Sequence, residues 1–371
     1  MLTTGDLDLA WLRAALAGAG PETGLDPARL SAVGVQPLES GTTSRARLHL
    51  TWDPAPEGGN GPTAEQPASM FVKLPADGAG ARLFGTMIGL GANEVGFYAT
   101  IRPHLDLPAP RGYVADRGRA GRFAILLEDL AGAGAHFPTV AGGCSADHAG
   151  AVMTALARVH APLWGSRRFG GDLRWVFRPA DNDRVRRLQR LLLSTALRRA
   201  RSRLADELGG STGRLLERAQ ALDRALDDHR ATGPTTLLHG DTHLGNTYAL
   251  PDGRAGLFDW QVLQQGHGLR DVAYFSVLST PVEMRREHER DWVDHYLGEL
   301  RRLGVDPPGR DDAWLQYRLY ALDALRGAVF TAAMGDRLQP EAQWRAGLDR
   351  AATATSDLDT LGALNQVATQ W

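Results

Sequence analysis

LLHGDTHLGNTYALPDGRAGLFDW, residues 237–260, decides the fold class of this chain. Leu237 and Leu238 end a buried strand. Residues 239–246 are too polar and glycine-rich for an interior element and predict a loop. Residues 247–250 and 254–258 predict two short strands around Pro251, Asp252 and Gly253, because Asp-Gly is a strong hairpin signal. A two-residue turn at Asp252-Gly253 sets Asn246 opposite Asp259 at the open end of the hairpin. A three-residue loop begun by Pro251 shifts the register by one and leaves them neighbours. Directly opposed residues have Cβ atoms about 4.5–5.5 Å apart.

An amide oxygen and a carboxylate at that spacing suit Mg²⁺, a hard cation that takes oxygen ligands. Asp241 lies five residues before Asn246, in the loop entering the hairpin. Phosphoryl transfer needs such a set: in-line positioning, neutralised phosphate charge, and a carboxylate to orient or deprotonate the attacking hydroxyl. Asp241 is then the base candidate, and Asn246 and Asp259 are the metal candidates. The chain has 41 lysines and arginines, of which one is lysine, Lys73 in Val72-Lys73-Leu74. A sequence that uses arginine everywhere else has a reason for that lysine, and binding nucleotide phosphates is the reason expected. Glu94, early in the next predicted helix, is placed to pair with it. Gly41, Thr42, Thr43 and Ser44 lie between the first two predicted strands, where backbone N–H groups and hydroxyls can cover phosphates.

His239-Gly240-Asp241, then Asn246, a hairpin, and Asp259-Trp260 resemble the motifs of the aminoglycoside phosphotransferase and choline kinase-like family, which has the protein-kinase-like fold. Phe71-Val72-Lys73 is similar to that family's nucleotide-lysine strand and Glu94 to its helix partner. Leu126-Leu127-Glu128-Asp129-Leu130 resembles the strand leading into the adenine hinge. Phe258-Asp259-Trp260-Gln261 with Gly268-Leu269-Arg270-Asp271 resembles the metal strand and the helix after it. The DWQ and LLEDL segments also resemble bacterial ecdysteroid kinase-like members. The resemblance spans roughly residues 7–350. It implies an ATP-dependent kinase with Asp241 as catalytic base, Asn246 and Asp259 on Mg²⁺, Lys73 and Glu94 at the ATP phosphates, and the backbone around Glu128 and Leu130 at the adenine. The chain departs from the family pattern in its single Gly41 and in the loop over residues 54–67.

The surrounding pattern predicts an α+β fold of two lobes. Residues 1–130 read as a short helix over 6–17, strands near 33–38, 45–52, 69–74, 111–114 and 123–130, and a helix over 93–101, forming a small antiparallel lobe. Residues 131–371 read as long helices over 146–163, 182–207, 212–229, 283–303, 311–334 and 341–360, interrupted by the β insert around the motif.

Composition narrows the function classes. The chain has 371 residues and a net charge of −2, which gives no support to bulk nucleic-acid or membrane binding. One cysteine, Cys144, excludes an internal disulfide and suits a reducing cytoplasm. A Walker A loop is excluded because Lys73 is not in a Gly-Lys-Ser/Thr context. The expected partner is a small-molecule hydroxyl acceptor; oligomeric state is left unassigned. Residues 281–360 hold a mild acidic excess that is compatible with a cationic acceptor but too small to select one, and the aromatic residues there argue equally for an apolar alcohol; Trp292, Tyr296, Trp314, Tyr317 and Tyr320 read mainly as core. Asp271 reads as a helix N-cap. Two rival readings remain: a metal-dependent hydrolase using His239, Asp241, His243 and Asp259, and a nucleotide-binding pseudokinase.

Overall fold

The computed structural model describes residues 2–38, 43–54, 66–119, 121–179, 183–201, 210–335 and 338–369. Gly41 and Thr42, and residues 55–65 of the expected surface loop, lie outside them. The chain forms two compact units, residues 1–135 with 259–262, and residues 136–258 with 263–371.

In the first unit, Asp8 caps helix α1 (Leu9–Ala19) by accepting from the Trp11 N–H, and Gly20 at a φ of 80° ends it. Strands β1 (Leu30–Leu38), β2 (Thr43–Trp52) and β3 (Ser69–Pro75) follow, then helices α2 (Ala79–Met87) and α3 (Leu90–Gly96), then β4 (Gly112–Arg117) and β5 (Phe123–Glu128). The five strands form one antiparallel sheet in the order β1-β2-β3-β5-β4. Strand alternation gives the sheet two unlike faces. Ala46, Leu48, Met70, Val72 and Leu74 form one core with Leu12 and Leu16 of α1. Each leucine so buried contributes about 1.5–3 kcal/mol. Phe71 and Lys73 take the other face. Helix α2 falls in a glycine-rich stretch before Gly91 for which the sequence reading gave no helix. Leu83 and Met87 on it are exposed, so these two apolar residues mark no buried face for periodicity to reveal.

The second unit is mainly helical: α4 (Ala146–His160), α5 (Asp183–Arg201), α6 (Gly210–Ala221) and α7 (Asp223–Ala231) precede the β insert. The insert comprises β6 (Thr236–Leu238), β7 (Thr247–Ala249), β8 (Ala255–Leu257) and β9 (Gln264–Gly266), with β6 paired to β9 and β7 to β8. Helices α8 (Leu269–Ser279), α9 (Val282–Arg302), α10 (Arg310–Met334), α11 (Glu341–Asp357) and α12 (Thr360–Ala368) complete it. The expected single helix over 212–229 is two, broken at Leu222, whose φ of −105° and ψ of 13° leave the helical range. Helix α12 was not anticipated; Asp359 caps it by accepting from Gly362 N–H at 3.1 Å. Helix α8 is buried on nearly every side, as expected of a helix at the centre of a bundle. Trp292, Tyr296, Tyr317 and Tyr320 are buried, in agreement with their reading as core.

The entry to α8 is tightly filled. A Cβ on Gly268 would collide with the Tyr296 hydroxyl and lie 2.9 Å from His160 Nδ1, two groups that hydrogen-bond to each other at 2.7 Å. Gly268→Ala is therefore expected to destabilise by about 1–3 kcal/mol through overpacking. Gly298→Ala, in open space on α9, should stabilise by about 0.5–1 kcal/mol. Urea melts of both variants check the pair; equal effects would contradict the packing described.

Candidate active site

The expected site residues fall into two groups, one in each unit. In the first unit, Lys73 on β3 is 3% exposed. Its ammonium lies 2.7 and 2.9 Å from the two carboxylate oxygens of Glu94 on α3 and 2.9 Å from Asp259 Oδ1. Burial pushes the Glu94 carboxyl up, and the adjacent ammonium pulls it back. Such a group persists in the interior because each charge has a partner. Asp259 has a φ of 69°, in the left-handed region. Non-glycine residues seldom hold that conformation, and where they do the surroundings overdetermine it. Here the next residue, Trp260, is fully buried and stacks on Phe97 with ring centroids 3.9 Å apart. Asn93 Nδ2 donates to the Gln261 carbonyl at 2.9 Å.

Arg45 is a residue that the sequence reading missed. Strand pairing sets it directly opposite Lys73, and its guanidinium reaches Asp259 Oδ2 at 3.4 Å. Two cations from neighbouring strands thus face one carboxylate. The long connection between β2 and β3 gives no turn signal from which that register could be read.

The predicted phosphate-covering residues separate. Thr43 and Ser44 are the first residues of β2 rather than loop residues. Thr43 is on the Lys73 side by strand parity, and its Oγ1 accepts from Arg45 Nε at 3.3 Å. Ser44 points to the opposite face with Ala46, so its hydroxyl is turned away from Lys73. At the end of β5, Glu128 accepts from Arg111 N–H at 3.0 Å, and Leu130 is buried. Between them, Asp129 binds Arg47 and the Ser69 hydroxyl, each at 2.7 Å. Burial alone would raise the Asp129 carboxyl, and these two partners hold it below its ordinary value. A cavity of about 1070 Å³ in this unit is lined by residues that include those of α1 and β4 and not by Lys73, Glu94 or Asp259. We assign it no part in the chemistry.

In the second unit, the loop after β6 carries Asp241. Its side chain is 36% exposed. Asn246 Nδ2 donates to the Asp241 carbonyl at 2.8 Å and to its carboxylate at 3.3 Å, which directs the amide oxygen of Asn246 the other way. Burial pushes the Tyr274 phenol on α8 well above its ordinary pKa, and the nearby charge of Asp241 adds to the shift. The hairpin has a three-residue loop: Thr247 pairs with Leu257 and Ala249 with Ala255. Asn246 therefore pairs with Phe258, whose N–H donates to its carbonyl at 3.1 Å. The two-residue register fails by one position, and Asp259 is the next residue of the chain.

Asp271 does not cap its own helix. Its carboxylate accepts from the N–H groups of His239 at 2.7 Å and Gly240 at 3.2 Å, and its carbonyl accepts from the Thr242 hydroxyl at 2.9 Å. It is fully buried. Burial would raise its pKa, but His160 and Arg270 keep it lowered and charged. The loop bearing Asp241 is thus held by its backbone to α8.

The histidines are already engaged. His239 Nδ1 accepts from Asp241 N–H at 3.3 Å and Nε2 donates to the Phe258 carbonyl at 2.9 Å. His243 Nδ1 accepts from Gly245 N–H at 3.1 Å. Among the described residues, no group of three or more His, Cys, Asp or Glu could hold a metal ion, whereas a zinc hydrolase site normally presents three such ligands. The oxygen donors of Asn246 and Asp259 fit Mg²⁺ by type, since that ion is commonly held by one or two protein groups together with substrate phosphates.

No curated protein matches the chain. Three solved structures share the fold. A choline kinase of Cryptosporidium parvum is 12% identical with a TM-score of 0.59, over 96% of this chain and 98% of that one. A choline/ethanolamine kinase family protein of Mesorhizobium loti is 14% identical with a TM-score of 0.51, over 97% and 99%. A choline kinase of Streptococcus pneumoniae is 14% identical with a TM-score of 0.50, over 88% and 94%. The model of the phosphotransferase enzyme family matches residues 64–320, most of the chain and every residue discussed above from Lys73 to Tyr274, and the chain belongs to that family.

Proposed function

We propose that this phosphotransferase moves the γ-phosphoryl group of ATP to a hydroxyl of a small-molecule acceptor. The observation that carries the reading is the buried contact of Lys73 with Glu94 and Asp259. A lone lysine held in the interior by two carboxylates is poised to exchange one of them for a phosphate. Glu94 fixes the ammonium, and Arg45 supplies a second cation on the same sheet face. Asp241, oriented by Asn246, accepts the proton of the attacking hydroxyl. The new bond joins the acceptor oxygen to the γ-phosphorus, the bond from that phosphorus to the β–γ bridging oxygen breaks, and ADP leaves. Asn246 and Asp259 are the residues that would hold Mg²⁺, which when bound neutralises charge on the phosphate oxygens. A pseudokinase role is disfavoured because base, metal-binding and lysine positions are all filled by the side chains the reaction needs.

Asp241→Asn keeps the shape and its neighbours but cannot take a proton. Turnover should fall about 10²–10⁴-fold, with nucleotide affinity and melting temperature close to wild type. ADP release with any accepted alcohol measures it, and wild-type turnover would remove Asp241 from this role.

Asp259→Ala should abolish the Mg²⁺ dependence of ATP-analogue binding, with Asn246→Ala weaker in the same direction. Calorimetric titration with and without the ion reads this, and unchanged coupling in both variants would refute the shared role.

Lys73→Arg is expected to weaken ATP binding at least tenfold although charge is kept. A guanidinium is planar and larger than the compact ammonium that fits between Glu94 and Asp259. Equal ATP affinity in the two proteins would sink the assignment.

A further inference from the structure

A cavity of about 60 Å³ lies in the first unit against the start of α3. The start of β2, helix α2 and the turn from β4 to β5 also wall it, through Thr43, Arg82, Thr86, Arg117 and Arg122. Lys73, Glu94 and Asp259 do not line it. One water needs about 10–15 Å³ of such space, so there is room for about four, or for one tetrahedral oxyanion. Nucleotides and drug-sized ligands take sites of about 300–1,000 Å³. The walls are closely fitted. A Cβ on Gly121, at a φ of 72°, would lie 2.3 Å from the Thr86 hydroxyl, and one on Gly91 would lie 2.3 Å from the Phe123 ring. Glycine at these two positions lets the turn seat on α2, and α3 on β5.

The lining carries charge of one sign. Among the described residues it holds three arginines and no lysine, histidine, aspartate or glutamate. What these arginines already bind is neutral. Arg82 donates to the carbonyls of Ala76 at 3.2 Å and Asp77 at 2.8 Å. Arg122 donates to the Arg119 carbonyl at 3.1 Å. Among the described residues, none of the three pairs with a carboxylate. Three cations thus surround one space without a counter-ion among those residues, and a concave wall of one sign draws an ion of the other. Guanidinium forks match phosphate oxygens, and three cations favour a divalent phosphate over a monovalent carboxylate. Thr43, whose hydroxyl accepts from Arg45 Nε at 3.3 Å, joins this wall to the cations beside Lys73.

We propose that this cavity binds a small oxyanion, a phosphate ion or the phosphoryl group of a phosphomonoester, and that its occupant tightens nucleotide binding. An anion held by Arg82, Arg117 and Arg122 ties α2 to the sheet beside the start of α3. That helix carries Glu94, which holds the Lys73 ammonium at 2.7 and 2.9 Å. It also carries Asn93, which donates to the Gln261 carbonyl two residues after Asp259. Fixing the start of α3 fixes both contacts, and the nucleotide lysine is held ready. The coupling rests on the phosphotransfer reading above; the anion site does not. By linkage, nucleotide must tighten the anion by the same factor.

The test is calorimetric titration with inorganic phosphate, O-phosphoserine and acetate at constant ionic strength. The protein is first saturated with Mg²⁺ and a non-hydrolysable ATP analogue, so that the nucleotide site is filled. Phosphate or phosphoserine is expected to bind, and acetate to bind more weakly than either. Tighter binding of phosphoserine assigns the site to a phosphoryl group on a larger molecule, and tighter binding of phosphate to the free ion. Arg117→Gln, at an exposed position, should weaken the bound phosphate compound about tenfold, and Arg82→Gln should do the same. With that compound present, the analogue should bind wild type about fivefold more tightly than Arg117→Gln, and equally without it. No binding of either phosphate compound to the saturated protein, or wild-type affinity in both arginine variants, would overturn the site. Equal analogue affinities with the compound present would overturn the coupling. Failure to bind the analogue at all would instead overturn the phosphotransfer reading, and titrations of the unliganded wild type and arginine variants would still decide the cavity.

Discussion

The buried ammonium of Lys73 is the constraint on which the first unit depends. Removing one partner of a buried ion pair costs about 3–5 kcal/mol, so β3, α3 and the segment carrying Asp259 must stay together. The sheet supplies the lysine on the face opposite the leucine core, α3 supplies Glu94, and Trp260 on Phe97 secures the third partner. The left-handed backbone at Asp259 follows from these anchors, because the chain must present the carboxylate to Lys73 while burying the next side chain.

The second unit treats two carboxylates in opposite ways. Asp271 is sealed inside, and its charge is spent on backbone N–H groups of the loop. Asp241 is left partly open, with one oxygen accepting from Asn246. Both lead back to α8, whose near-complete burial gives the loop a fixed support. Rigid support for a reacting carboxylate is what positioning catalysis requires.

The motif around Asp241 was legible because its chemistry is local: turn residues, a Gly-Asp pair and a short hairpin lie within one stretch of chain. The pairing of Lys73 with Glu94 was anticipated as well, from a strand followed by a helix. What escaped reading depends on contacts between distant segments. The hairpin register turned on whether Pro251 joins the turn, and it does. Arg45 could not be set opposite Lys73 across a long connection, and Ser44 lost its expected place to strand parity. Asp271 looks like a helix cap in sequence, yet its hydrogen bonds go to a loop 31 and 32 residues earlier. Helix α2 escaped reading because its Leu83 and Met87 are exposed and mark no buried face.

The single lysine offers a direct test of the account. An acyl-phosphate derivative of ATP transfers its acyl group to an amine held beside the nucleotide phosphates, and Lys73 is the one side-chain amine in the chain. Peptide mass analysis after brief labelling should find the acyl group on Lys73, with labelling suppressed by excess ATP. A Lys73 left unlabelled, or labelled equally with and without ATP, would contradict the assignment of this buried lysine to the nucleotide.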